Sequence, residues 1–262
     1  RRDDGVARMM RVIKVGGRVQ RDVRLASALA RLWADTPASF CVVHGGGETV
    51  SALQAQRGGT PRFVDGRRVT TENDIEVLRT ALSGVANKEL VSSLSAKGIP
   101  SVGISGEDGA LLAATAIDEE VFGKVGFVSE VRDELLRTLL AGGYLPVISP
   151  VSRDVESESG AALNVNADDA AAAIAVSMDA DELLLVSDVS GVIVGGVAAA
   201  TLSAGEAEWA VESGIATEGM ATKLRAALDA LKRGVPQVRI GGLDALLDPT
   251  LGTTLVAAPQ LA

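Results

Sequence analysis

Cysteine and histidine each occur once in this chain of 262 residues, as Cys41 and His44. A single cysteine closes no internal disulfide and builds no cysteine metal cluster; a single histidine excludes a multi-histidine metal site. No metal-binding residues are assigned. Cys41 reads as a small buried apolar residue within a strand, and the cysteine usage fits a reducing, cytoplasmic setting. Aromatic residues make up only 3% of the chain, whereas Ala, Val, Leu and Gly are abundant, which favours a sheet covered by helices packed through small side chains. Cations are outnumbered, with a formal net charge of −9, and this argues against a nucleic-acid partner or an anionic membrane surface. No apolar run is long enough to span a bilayer, and no signal-peptide pattern is found. Three motifs are also missing. Without G-x-x-x-x-G-K-[ST] or G-x-G-x-x-G, a P-loop NTPase and a dinucleotide-binding enzyme are disfavoured; without G-x-S-x-G, so is a serine hydrolase.

What the chain does have is two short hydrophobic runs that end in glycine clusters, Val12-Ile13-Lys14-Val15-Gly16-Gly17 and Cys41-Val42-Val43-His44-Gly45-Gly46-Gly47. Each reads as a buried strand stopping in a turn where no side chain covers the backbone. Exposed N–H groups at the carboxyl ends of parallel strands, with a lysine beside them, suit a phosphoryl group. Further strands are expected at Ser101–Ile104, Tyr144–Ser149, Glu182–Val186 and Gln237–Ile240. Helices are expected near Val23–Trp33, Thr49–Gln56, Glu72–Lys97, Arg132–Leu140, Ala167–Met178, Ala204–Ser213 and Met220–Lys232. Alternation of the two predicts an α/β protein with a mostly parallel sheet. The Glu72–Lys97 stretch is long for one helix, and Ser83-Gly84 is a candidate kink. Three segments, Arg62–Val69, Leu111–Val128 and Val155–Leu163, read as hairpins outside the sheet, of the kind that form lids. A soft boundary falls at Asp179-Ala180-Asp181, and the first residues, through Arg8 or Met9, read as a disordered or non-native leader.

Several side chains carry candidate chemistry. Lys14 sits in an apolar strand. Edge strands carry lysines to block aggregation, but one that begins the core sheet needs an anionic partner. Lys223 is placed in the first turn of a helix after a glycine, either solvated or converging with that helix terminus on one phosphate. Asn164-Val165-Asn166-Ala167-Asp168-Asp169 precedes an alanine-rich helix; its caps and acids exceed what one helix start needs, so a carboxylate is free to orient two lysines. The arginines of Gly66-Arg67-Arg68-Val69-Thr70 are either solvated or a bidentate clamp for a carboxylate. Ser187–Val192 closes a strand near a nucleotide site. His44 orders its turn rather than acting as a base, since a carboxylate that attacks a phosphoryl group is already ionised at neutral pH.

Taken in order with Ala86-Asn87-Lys88, Leu185–Gly191 and Gly219-Met220-Ala221-Thr222-Lys223, these motifs resemble those of the acetylglutamate kinases, within the amino acid kinase (carbamate kinase-like) family. The resemblance runs from about Arg11 to Val256. It implies a three-layer αβα sandwich in two lobes. Residues 10–180 would bind the acylamino acid and dimerise, and residues 181–262 would bind ATP. It implies that Lys14 and Lys223 stabilise the phosphoryl group, that Asp168 holds both lysines, and that Gly17 and Gly46 N–H groups bind its oxygens. Arg68, Asn164 and the Gly46-Gly47 turn would bind N-acetyl-L-glutamate. Ser187, Asp188, Val189, Ser190, Gly191 and Val192, with Ile215, Ala216 and Thr217, would line the site for ATP, whose phosphates carry Mg²⁺. Arginine-inhibited members carry an N-terminal helix that links dimers into hexamers; the short charged leader here leads us to expect a homodimer without arginine feedback, and the Val194–Val197 loop looks trimmed. The alternative substrates are N-succinylglutamate and carrier-protein-linked aminoadipate, and for the latter Arg57 and the Arg62–Arg68 hairpin offer a modest basic rim. A non-catalytic amino-acid or nucleotide sensor is the reading from another class.

Overall fold

The computed structural model describes residues 9–194, 196–216 and 218–257. The expected leader, residues 1–8, lies outside the described residues. An eight-stranded sheet runs through the molecule in the order Thr201–Ser203, Thr253–Val256, Gln237–Gly241, Glu182–Val186, Arg11–Val15, Phe40–His44, Leu145–Ser149, Ser101–Ser105. Every neighbouring pair is parallel except Gln237–Gly241 with Thr253–Val256. All six strands expected from the sequence are in this sheet. The two it missed, Thr201–Ser203 and Thr253–Val256, are short and threonine-rich, with little apolar signal.

Side-chain alternation along these strands feeds two cores, one on each face. Val12, Cys41, Val43, Leu183, Leu185 and Val238 pack with the helices Glu134–Ala141, Ala167–Ser177, Ala204–Glu212 and Glu218–Lys232. Ile13, Val15, Phe40, Val42, Leu184 and Val186 pack with Leu25–Asp35 and Asn87–Ser95 on the other face. Small side chains let one helix lie close to the sheet: Ala170, Ala171, Ala172, Ala173 and Ala175 are all buried. The sheet crosses the expected boundary at residue 180 without a break, because Arg11–Val15 pairs with Glu182–Val186 on one side and Phe40–His44 on the other.

Three expectations need correction. The Glu72–Lys97 stretch is neither one regular helix nor split at Ser83-Gly84; the α-helices Glu72–Leu78 and Asn87–Ser95 are joined by a π-helix, Arg79–Ala86. The segment Val155–Leu163 is mostly the loop of a hairpin whose arms are Val151–Asp154 and Ala162–Val165. Those arms do not form a lid. With Leu112–Ala116 and Val125–Val131 they close into a four-stranded barrel, since each of the four finds two partners and leaves no edge unpaired. Of the three expected hairpins, the first alone, Phe63–Val64 with Arg67–Arg68, stands apart as a two-stranded ribbon; a second such ribbon, Ile193–Val194 with Val197–Ala198, lies elsewhere among the described residues. The tip residues of the first, Asp65 and Gly66, both have positive φ (48° and 74°), as a two-residue turn matched to strand twist requires.

Candidate active site

The parallel register places the carboxyl ends of three strands side by side. Val15 lies opposite both His44 and Val186, so Gly16, Gly45 and Ser187 follow at one edge of the sheet. Gly16 N–H and Gly45 N–H continue the ladder, donating to the carbonyls of Val186 (3.1 Å) and Val15 (3.0 Å). Beyond them, Gly17, Gly46 and Gly47 carry backbone N–H groups with no acceptor among the described residues. Gly17 opens a short 3₁₀-helix and Gly47 opens the helix Gly47–Gln56, so these N–H groups are free ends of helices. Gly46 has φ 150° and faces Leu82, whose Cδ2 would lie 2.7 Å from a side chain placed there.

His44 sits behind this turn, fully buried. Its Nδ1 is 2.7 Å from the carbonyl oxygen of Gly45, and Asn87 Nδ2 donates to its Nε2 at 3.0 Å. An amide nitrogen only donates, so Nε2 is the acceptor and Nδ1–H donates. Burial, opposed by the Gly45 hydrogen bond and aided by the charges of Lys14 and Lys88, lowers the His44 pKa to about 4. A neutral imidazole with both nitrogens engaged orders the glycine turn and has no base function to offer.

Lys14, on the central strand, is only 5% exposed, and its Nζ lies 2.8 Å from Asp168 Oδ1. Lys223 Nζ approaches the other oxygen, Oδ2, at 3.6 Å. Asp168 owes its place to Asn166, which caps the helix Ala167–Ser177 by accepting the Asp168 N–H at 2.8 Å. Burial pushes the Asp168 carboxyl up, but the two lysines outweigh it and hold it below the usual carboxylate range. Burial pulls Lys223 below its usual value. The helix bearing Lys223 begins at Glu218, so this lysine is in the second turn, not the first; it reaches Asp168 from the helix side rather than from its free N-terminus.

A cavity of about 530 Å³ opens beside Lys14, lined by Gly16, Gly17, Gly45, Gly46, Gly47 and the Arg67-Arg68 strand, and closed by Asn164 and Asp168. Arg68 is 9% exposed. It donates to Gln54 Oε1 (2.9 Å), the Gly47 carbonyl (3.1 Å) and Ser51 Oγ (2.8 Å), and stacks over Phe63 at 4.8 Å. All of these partners are neutral, and among the described residues no carboxylate forms an ion pair with it. Burial pulls this guanidinium below its usual value. Asn164 donates to Thr70 Oγ1 at 2.9 Å and keeps its side chain at the cavity wall.

A second cavity of about 800 Å³ lies beside Lys223. Ser187, Asp188, Val189, Gly191, Val192, Ile215 and Ala216 line it; Ser190 does not, and Thr217 lies outside the described residues. Its remaining wall is mostly apolar, with Leu202, Trp209, Ala210 and Met220, and holds one carboxylate, Glu206. Among the described residues no group of three or more His, Cys, Asp or Glu side chains is placed to hold a metal ion, and no helix is long and apolar enough to cross a membrane.

The model of the amino acid kinase family matches residues 9–242. The chain belongs to the amino acid kinase family. This amino acid kinase is 40% identical over 230 residues to the acetylglutamate kinase of Geobacillus kaustophilus, covering 87% of this chain and 88% of that one. It is 41% identical over 249 residues to the acetylglutamate kinase of Methanopyrus kandleri, covering 91% and 97%. Among solved structures, a protein of Streptococcus mutans UA159 superposes with a TM-score of 0.85 at 27% identity, over 94% of this chain and 98% of that one. A carbamate kinase from Giardia lamblia shares the fold, with a TM-score of 0.68 at 16% identity over 96% and 99%.

In this amino acid kinase, Lys14, Lys223 and Asp168 form one contiguous group between two cavities, with Gly17, Gly46, Gly47, Arg68 and Asn164 around the smaller one. Three wall residues and one residue behind the wall, Gln54, escaped sequence reasoning. Gln54 and Ser51 anchor Arg68 from the polar side of a helix, and only their separation by three residues hinted at a shared face. Trp209 and Leu202 come from a helix and an edge strand with no motif.

Proposed function

We propose that this chain transfers the γ-phosphoryl group of MgATP to the side-chain carboxylate of N-acetyl-L-glutamate, a step of arginine biosynthesis. The observation that carries the reading is the Lys14–Asp168–Lys223 group standing where a polar, glycine-lined cavity meets a larger apolar one. The acetylglutamate kinase relatives support the choice of substrate.

In this reading the acyl amino acid occupies the cavity beside Lys14. Arg68, a buried cation whose partners are all neutral, supplies the charge that the α-carboxylate needs, and Asn164 flanks it. The nucleotide occupies the cavity beside Lys223, with its base against the apolar wall and its phosphates toward Gly17 and Asp188. Magnesium arrives on those phosphates, and Asp188 is a carboxylate of the cavity wall that fits a cation there. Both reactants are anions, so repulsion and alignment oppose the reaction more than proton transfer does. Lys14 and Lys223 neutralise charge on the transferring group, the free N–H groups of Gly17 and Gly46 bind its oxygens, and Asp168 fixes both ammonium groups in advance. No general base is required, which agrees with a neutral, buried His44.

The carrier-linked alternative finds only a weak rim. Arg57 pairs with Glu76 (3.4 Å) and Arg67 with Asp169 (2.7 Å), and Arg68 is buried, so among the described residues only Arg62 of the rim cations is left without an ion pair or burial to meet an acidic carrier protein. A sensor that had lost catalysis would have no need of both lysines and Asp168. The test is an acyl-phosphate assay: protein, MgATP and hydroxylamine with N-acetyl-L-glutamate, N-succinyl-L-glutamate or free glutamate. Strong hydroxamate with the acetyl compound alone is expected. Signal only with the succinyl compound would move the acyl group, and no signal with any would overturn the reading.

A further inference from the structure

Asp168 has an acidic neighbour, Asp169, that takes no part in holding the lysines. Its Oδ2 lies 2.7 Å from Nη2 of Arg67, with both side chains mostly buried. Arg67 comes from the free-standing hairpin, whereas Asp169 comes from the first turn of the helix that carries Asp168. The pair therefore ties together two elements that are far apart in sequence.

The strand geometry makes this tie specific. Adjacent residues on a strand point to opposite sides. Arg68 turns to the helix Gly47–Gln56, where Gln54, Ser51 and the Gly47 carbonyl hold it, and Arg67 turns to Asp169. At its base the hairpin is fastened by one backbone and one side-chain hydrogen bond, Thr70 N–H to the Phe122 carbonyl (3.0 Å) and Arg62 Nη2 to the Val121 carbonyl (3.1 Å). Toward its tip, Arg67 and Arg68 are its polar attachments. Two-stranded ribbons have little stability of their own, so the loss of either attachment frees the tip. Arg67 lines the same cavity as Arg68, and its Nη1 is buried without a hydrogen-bond partner, so the ion pair is what holds this guanidinium in place.

We infer that Asp169 is a positioning residue for the acyl amino acid: by pairing with Arg67 it fixes the Phe63–Arg68 hairpin over the cavity and so sets the affinity for that substrate. One helix start then divides two tasks between adjacent carboxylates. Asp168 aligns the lysines for transfer, and Asp169 holds the hairpin that carries Arg68. The identity of the substrate in this inference rests on the function proposed above; the mechanical tie does not.

The test uses Asp169→Asn, Arg67→Leu and the double variant, with two readouts. In steady-state kinetics each single variant is expected to raise KM for N-acetyl-L-glutamate about tenfold, or about 1.4 kcal/mol, with kcat within about threefold and KM for ATP unchanged. The double variant is expected to be no worse than either single, since both remove the same pair. Asp169→Glu, which keeps the charge, is expected to recover most of the affinity. Independently of any activity, hydrogen exchange of the free protein is expected to be about tenfold faster for hairpin amides in Asp169→Asn than in wild type, with the barrel strands unchanged. A fall in kcat at unchanged KM would overturn the inference, because Asp169 would then act in transfer. Unchanged KM and unchanged exchange would overturn it as well. A wild-type protein inactive on all three candidate substrates would defeat the proposed function, and the exchange comparison would still decide the tie.

Discussion

The cavities beside Lys14 and Lys223 flank one ion-paired group, Lys14–Asp168–Lys223, but are built from opposite materials. The smaller is walled by glycine backbone, asparagine and arginine, and its donors are fixed by contacts made in the free protein: Asn164 to Thr70, Arg68 to Gln54, Ser51 and Gly47. The larger is walled mainly by Val, Leu, Ile, Met and Trp, with its polar groups limited to the Ser187-Asp188 end, Lys223 and the single carboxylate of Glu206. A small dianion presents little surface, so its recognition depends on charged hydrogen bonds set in advance. A base and ribose present area, so a slot of apolar side chains suffices. The lesson is that the two halves should fail differently when damaged, the first through single groups and the second by degrees.

The largest effect is expected where both cavities depend on one group. Lys14→Ala and Lys223→Ala should each lower kcat by about two orders of magnitude or more, on the scale of losing one oxyanion donor; near-wild-type turnover in either would break the shared role. A comparable change in folding equilibrium should come from His44, which serves neither cavity directly. Its pKa is about 4 in the fold and 6.5 unperturbed, so the unfolded chain binds the proton more readily, and stability falls as pH drops from about 6.5 toward 4. The full loss is roughly 3 kcal/mol at 1.36 kcal/mol per unit. Urea titrations at pH 7 and pH 4.5 should show it, and His44→Gln should flatten that window; an equally steep slope in the variant would assign it elsewhere.

Next is Arg68→Lys. An ammonium cannot reproduce the fork that now engages Gln54, Ser51 and Gly47, so KM for the acyl amino acid should rise between about ten- and a hundredfold with KM for ATP unmoved. An equal rise for both substrates would erase the distinction between the cavities. Gly16→Ala sharpens it further. A methyl group there would collide with Lys14 Nζ, the far end of a flexible side chain, so the fold should tolerate it while the ammonium moves. We expect about a tenfold loss in kcat, a value between no effect and loss of the donor, with little change in melting temperature. The smallest effect is expected from Trp209→Ala, a 60% exposed wall residue of the larger cavity. Its loss should raise KM for ATP only several-fold, on the scale of about 1 kcal/mol for an aromatic contact, and leave the acyl substrate alone.

This contrast also explains what could be read from the sequence. The central strands, their glycine ends and Lys14 were legible because an apolar run broken by glycine has few other meanings. The Asn164–Asp168 stretch was legible because it held more polar groups than a helix start uses. The barrel was not, since its closure depends on a parallel pairing of Asn164-Val165 with Val125-Gly126, a long-range contact with no local signature. Lys223 was placed one turn too early because Gly219 looked like the boundary, whereas the helix takes it in as its second residue. Arg67 was read with Arg68 as solvated or as a clamp, and its pairing with Asp169 stayed hidden because that partner is 102 positions away; the apolar wall of the larger cavity was missed because Trp209 and Leu202 look like ordinary core residues.

The π-helix Arg79–Ala86 has a consequence for how this protein tolerates changes of length. Each α-helical residue turns the chain by about 100°, and a π-segment amounts to an extra residue accommodated without breaking the rod. Asn87 follows immediately after it and reaches both His44 Nε2 (3.0 Å) and the Val147 carbonyl (2.9 Å). Deleting one residue within 79–86 would let the rod relax to a regular spiral with the Asn87 amide still on its targets, whereas deleting two would swing that amide about a quarter of a turn away. The phase of a helix that touches neither reactant thereby governs whether the glycine turn at residues 45–47 keeps its shape.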